Sequence, residues 1–119
     1  MSTEDEVVAM AAEDDPALVA AQERLDRMTR KERRELGLTV GNVWRVTRAL
    51  KGEGLLSRGD RKGNAALVMG RIAEENKAAY TRCRATFGDD EDGERDWAAF
   101  FEALIAFLEK LISLFMMFA

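Results

Sequence analysis

Histidine is absent from this chain, which removes the side chain that most often moves protons near neutral pH. The single cysteine, Cys83, rules out an intramolecular disulfide, and without histidine no His/Cys zinc set can assemble. Cys83 falls within a helical pattern of apolar residues, so it reads as a packed thiol rather than a reactive one. So few thiols suit a reducing cytoplasm, or the interior of a particle assembled there. The opening MSTEDE is acidic where a secretory signal would be basic and then apolar, so no export signal is expected. Proline occurs once, at Pro16, and no stretch alternates apolar and polar residues between hairpin turns. Gly52, Gly54 and Gly59 match neither a P-loop nor a dinucleotide fingerprint. Asp89, Asp90, Glu91 and Asp92 are consecutive, which suits a solvated run better than an acid–base pair or a calcium loop. A role without catalysis, cofactor or metal is expected.

What is present is charge, unevenly spread. The net charge of −4 conceals an acidic start, a basic middle and an acidic end. Residues 1–23 carry seven acidic and no basic side chains; residues 24–62 carry twelve Lys/Arg against five Asp/Glu. Residues 63–119 carry six basic and ten acidic groups. A basic segment between acidic flanks points to a contact surface more than the total does.

The periodicity predicts an all-α fold: a small bundle of three to four helices with a hydrophobic C-terminal helix. Residues 1–15 read as an acidic arm. Asp15-Pro16 starts a helix, because Asp caps and Pro is tolerated at the first helical position. Leu18, Ala21, Leu25 and Met28 form its apolar stripe, Thr29 to Glu32 fit a capping box, and Gly37 ends the segment. Thr39 caps a second helix over 40–51, with Val43, Val46, Thr47 and Leu50 inward. Leu55-Leu56 is expected to tuck back into the core, followed by an exposed basic loop over 57–64. A third helix is expected over 65–87, completing a basic body over 16–87. Residues 88–96 read as an acidic linker, with Asp96 capping a terminal helix over 97–119.

The segment 28–64, MTRKERRELGLTVGNVWRVTRALKGEGLLSRGDRKGN, resembles winged helix-turn-helix DNA-binding domains. Leu36-Gly37-Leu38, Thr39, Val43 and Val46 occupy the turn, the helix start and the aliphatic lock of that pattern. The resemblance implies a recognition helix followed by a short wing hairpin at 55–68. It implies that Thr39, Asn42, Arg45 and Arg48 approach nucleic acid, with Arg58, Arg61 and Lys62 on the wing. Trp44 sits beside the apolar positions and reads as a packing anchor rather than a base-stacking residue.

In residues 97–119, WAAFFEALIAFLEKLISLFMMFA, only Glu102, Glu109, Lys110 and Ser113 are polar. Trp97, Phe101, Leu104, Leu108, Leu111, Phe115 and Phe118 share one helical face, widened by Phe100, Phe107 and Leu114 and by Ile105 and Ile112. The polar residues fill a wedge of roughly 100°, so most of the circumference must be covered. Three coverings are open: the chain's own body, a protein partner or second copy, and a bilayer. A helix of this length would span ~34 Å at ~1.5 Å per residue, against a hydrocarbon core of ~30 Å. Glu109 and Lys110 would then lie near mid-depth, each costing ~2.5–3.5 kcal/mol, which disfavours a full span. The preferred expectation is a structural or assembly protein, of the kind found in phage particles, that self-associates or docks through this helix. Its interface would use Trp97, Phe100, Phe101, Leu104, Leu108, Leu111, Ile112, Phe115 and Phe118. The alternatives are a helix-turn-helix regulator dimerising through the same helix, with nucleic acid as partner, and a membrane-associated protein with a C-terminal anchor.

Overall fold

The structure, a computed structural model, describes residues 15–118, and for Phe118 the backbone alone. Of the expected arm over 1–15, residues 1–14 lie outside the described residues. Among the described residues six helices follow one another: α1 (Pro16–Asp26), α2 (Arg30–Glu35), α3 (Val40–Gly52), α4 (Arg61–Glu75), α5 (Lys77–Ala85) and α6 (Glu91–Phe118). Among the described residues there is no strand.

Local chemistry sets most of the boundaries. The Asp15 carboxylate accepts from the Ala17 N–H at 2.9 Å, with Pro16 in the first turn, as expected for the start of α1. The Thr29 hydroxyl accepts from the Glu32 N–H at 3.1 Å and donates to the Glu32 carboxylate at 3.3 Å; the N-cap half of the expected box forms and starts α2 as a separate helix, while the carboxylate meets the hydroxyl. Thr39 caps α3 through the Asn42 N–H at 3.2 Å.

Three boundaries differ from expectation. No wing hairpin forms at 55–68, because Asp60 accepts from the Gly63 N–H at 3.0 Å and starts α4 at Arg61. Asn64, Ala65, Val68, Met69 and Ile72 then bury one helical stripe, and that 3.6-residue period overrides any alternation. The expected single helix over 65–87 is broken at Asn76, whose φ of −120° and ψ of 36° end α4, its side chain donating to the Ile72 carbonyl at 2.9 Å. Asp90, not Asp96, caps α6, through the Gly93 N–H at 2.8 Å. The acidic residues Glu91, Asp92 and Glu94 therefore lie in the first turn of α6, where negative charge suits the helix dipole. Leu55 is 49% exposed, and only Leu56 reaches the core.

The long helix α6 lies at the centre, packed mainly against α1 and α4, with α3 closing a further side. Phe100, Leu104 and Leu108 are fully buried, and Ile105 and Ile112 nearly so. They meet Ala21 and Leu25 of α1, Met28 just beyond it, Val43, Val46 and Leu50 of α3, and Val68, Met69 and Ile72 of α4 in one core. Of the three coverings open to the terminal helix, its own body takes up the central face. Among the described residues no helix is long and apolar enough to cross a membrane; Glu102, Glu109 and Lys110 interrupt the one helix with the length.

Candidate interaction surface

The corner between α2 and α3 is built around Gly37. Its φ of +69° is the left-handed conformation that glycine adopts without steric cost. A Cβ there would fall 2.5 Å from Asn76 Nδ2 and 3.0 Å from Ile72 Cγ2, so the site needs glycine for space as well as for conformation. Leu36 and Leu38 on either side are buried. The Tyr80 hydroxyl donates to the Leu36 carbonyl at 2.7 Å, satisfying an acceptor that the end of α2 leaves open. Burial, and secondarily the neighbouring Cys83, push the Tyr80 hydroxyl above its ordinary pKa. Cys83 itself is half-buried against the core.

The outward groups of α3 divide into occupied and free. Thr39 spends its hydroxyl on the cap. Asn42 donates to the Gly37 carbonyl at 2.8 Å and accepts from Arg45. Arg45 also pairs with Glu75 of α4 at 2.6 Å, a contact partly open to water and worth at most about 1 kcal/mol. Arg48 is exposed, its guanidinium 5.7 Å from the Trp44 ring centre. Arg58 lies in the turn before α4, and Arg61 and Lys62 lie in its first turn, all exposed. Among the described residues, Arg48, Lys51, Arg58, Arg61 and Lys62 are in no ion pair.

The expected interface residues of α6 are split by depth. Phe100, Leu104, Leu108 and Ile112 are buried in the chain's own core. Trp97, Phe101, Leu111 and Phe115 are half-buried, and the Phe118 side chain lies outside the described set. The apolar surface left open is Phe107, Leu114, Met116 and Met117, of which Met117 is 76% exposed.

Two clefts flank the end of α6. The larger, about 610 Å³, is lined by Trp44, Thr47, Arg48 and Lys51 of α3 with Phe115 and Met116. Trp44 meets Phe115 edge-on, with ring centres 4.9 Å apart, so Trp44 is an anchor between helices, as its position in the sequence suggests. The second cleft, about 300 Å³, includes Arg58, Arg61, Glu109, Met116 and Met117. Met116 lines both clefts, so an apolar contact lies between the α3 cations and Arg58 and Arg61 around the start of α4, with Glu109 beside the latter pair. Lys51, Phe115 beside Trp44, and the Arg45–Glu75 pair carry no local sequence signal, because each depends on which helices become neighbours. Among the described residues no three acidic or cysteine side chains gather to hold a metal ion. No family model matches this chain, and no curated protein or solved structure matches it either.

Proposed function

We propose that this chain is a non-enzymatic nucleic-acid-contacting protein of helix-turn-helix type that holds phosphates rather than reading base sequence. The observation that carries the proposal is the basic strip at the end of α6. It joins Arg48 and Lys51 to Arg58 and Arg61, which among the described residues are in no ion pair. Cations of this kind neutralise phosphates and release counterions. Base readout needs side chains free to reach groove edges, and Thr39, Asn42 and Arg45 are already engaged within the chain. The test is fluorescence anisotropy on two duplexes of unrelated sequence across a salt series. Equal affinities are expected, falling with salt. The triple change Arg48→Ala, Arg58→Ala and Arg61→Ala should lower the log–log salt slope by roughly 2.7, at about 0.9 per phosphate contact. No binding at low salt would end the reading.

A second reading, docking into a larger assembly such as a phage particle, is favoured by the open apolar end of α6. Leu114 and Met117 are 53% and 76% exposed. On this reading Leu114→Glu with Met117→Lys abolishes incorporation into the complex while the monomer keeps its melting temperature. Loss of fold in that variant, or unchanged incorporation, would count against it.

A further inference from the structure

We infer that Glu75 is a built-in competitor of phosphate: it holds Arg45 away from nucleic acid and keeps the affinity of the basic surface below what its cations would give. The inference rests on the phosphate-contacting reading above. Arg45 and Arg48 are both exposed and stand three residues apart on α3, so they are neighbours on one helical face. Among the described residues Arg48 is in no ion pair, whereas Arg45 is fully occupied on one edge. Its Nη2 donates to the Glu75 carboxylate at 2.6 Å, and its Nε and Nη2 donate to Asn42 Oδ1 at 3.1 and 2.8 Å. Carboxylate and phosphate oxygens make the same charge-assisted bond with a guanidinium, so the two compete for it.

The position of Glu75 supports a role beyond the stability of its own helix. It is the last residue of α4, and no basic side chain lies in that last turn. Negative charge at a helix C-terminus opposes the macrodipole, so local helix chemistry favours a cation there instead. The carboxylate is nevertheless held in place. α4 ends at Asn76, whose side chain donates to the Ile72 carbonyl at 2.9 Å. A Cβ on Gly37 would fall 2.5 Å from Asn76 Nδ2, so the end of α4 is seated against the turn before α3. Asn42 donates to the Gly37 carbonyl at 2.8 Å, which ties the other partner of Arg45 to the same turn. Both groups that hold the guanidinium are therefore set by the α2–α3 corner. Without the carboxylate only the neutral Asn42 acceptor remains, and its weaker bond yields Arg45 to a phosphate.

The test is a double-mutant cycle on the full chain: wild type, Glu75→Gln, Arg45→Ala and the two changes together. Fluorescence anisotropy on one DNA duplex gives the affinity of each across a salt series. Glu75→Gln should tighten binding about two- to fivefold at low salt, the range of an exposed ion pair. It should also steepen the log–log salt slope by about 0.9, the increment of one further phosphate contact. Arg45→Ala alone should leave the wild-type slope as it is, because Arg45 is held back there. In the Arg45→Ala background both gains from Glu75→Gln should vanish. Equal gains in that background would overturn the inference, since the lost charge would then act on the surface at large. A shallower slope in Arg45→Ala alone would also overturn it, by showing that Arg45 already meets phosphate. Binding by the wild type that Glu75→Gln leaves unchanged would overturn the inference and leave the phosphate-contacting reading standing. No binding by any of the four chains at low salt would end both.

Discussion

Tyr80 and Gly37 are the residues on which the α2–α3 corner depends, and neither acts by size alone. Tyr80→Phe removes the hydroxyl that meets the Leu36 carbonyl and leaves a buried acceptor unpaired. Urea titration should show a loss of about 1–3 kcal/mol. The folded state raises the Tyr80 pKa above its ordinary 10.0. The folded chain therefore holds this proton more tightly than the unfolded chain. The stability contributed by this proton is full below pH 10 and falls as pH rises beyond it. Tyr80→Phe should flatten that alkaline decline, which urea midpoints on either side of pH 10 will show. Gly37→Ala should cost more than about 1 kcal/mol, because the left-handed conformation and the crowding against Asn76 act together. A thermal melt checks it, with Gly41→Ala as the control: no atom approaches a Cβ at that position. The glycine stop after α2 was legible from Leu36-Gly37-Leu38 because turn chemistry is local. The Tyr80 bond was not, since it joins residues 44 apart in sequence.

At the scale of elements, α6 makes the clearest distinction between readings. As a core helix it should respond to truncation on its buried face and ignore it on its open face. Leu108→Ala should cost about 2–5 kcal/mol and Phe100→Ala about 3–5. Leu114→Ala, at an exposed position, should stay within about 0.5 kcal/mol. Equal responses at Leu108 and Leu114 would show that the helix is not seated as described. The apolar girth of this helix was plain in the sequence, but a hydrophobic pattern states that a face is buried and not what buries it. The helix starts at Asp15, Thr29 and Thr39 were legible because a cap and the helix it serves are neighbours in the chain. Asp60 and Asp90 were passed over for loop, since glycines and charges surround them and only the fold shows the helix that follows. The break at Asn76 falls between Ile72 and Ala79, which lie about two helical turns apart, so the same period resumes beyond it and periodicity alone runs straight through it.

Across the whole molecule, the charge asymmetry becomes spatial. The basic middle of the chain supplies α2, α3 and the start of α4, and four of its cations, Arg48, Lys51, Arg58 and Arg61, lie beside the last turns of α6. That grouping was half-legible: Arg48, Arg58 and Arg61 stood out by type and spacing. Lys51, Phe115 and Met116 joined them only when α6 folded back along α3. Internal burial of α6 also changes what association can mean. Self-association through the whole helix would require the core to open, whereas contacts at its end, or in the cleft beside Trp44, leave the core closed. The central claim is that α6 is the core of its own chain. Native-state hydrogen exchange across a range of protein concentrations tests it most directly. The amides of Leu104 to Ile112 should be among the slowest in the chain, exchanging at the rate of global unfolding and independently of concentration. Fast exchange of those amides in dilute solution, with protection that grows as the chains associate, would contradict it.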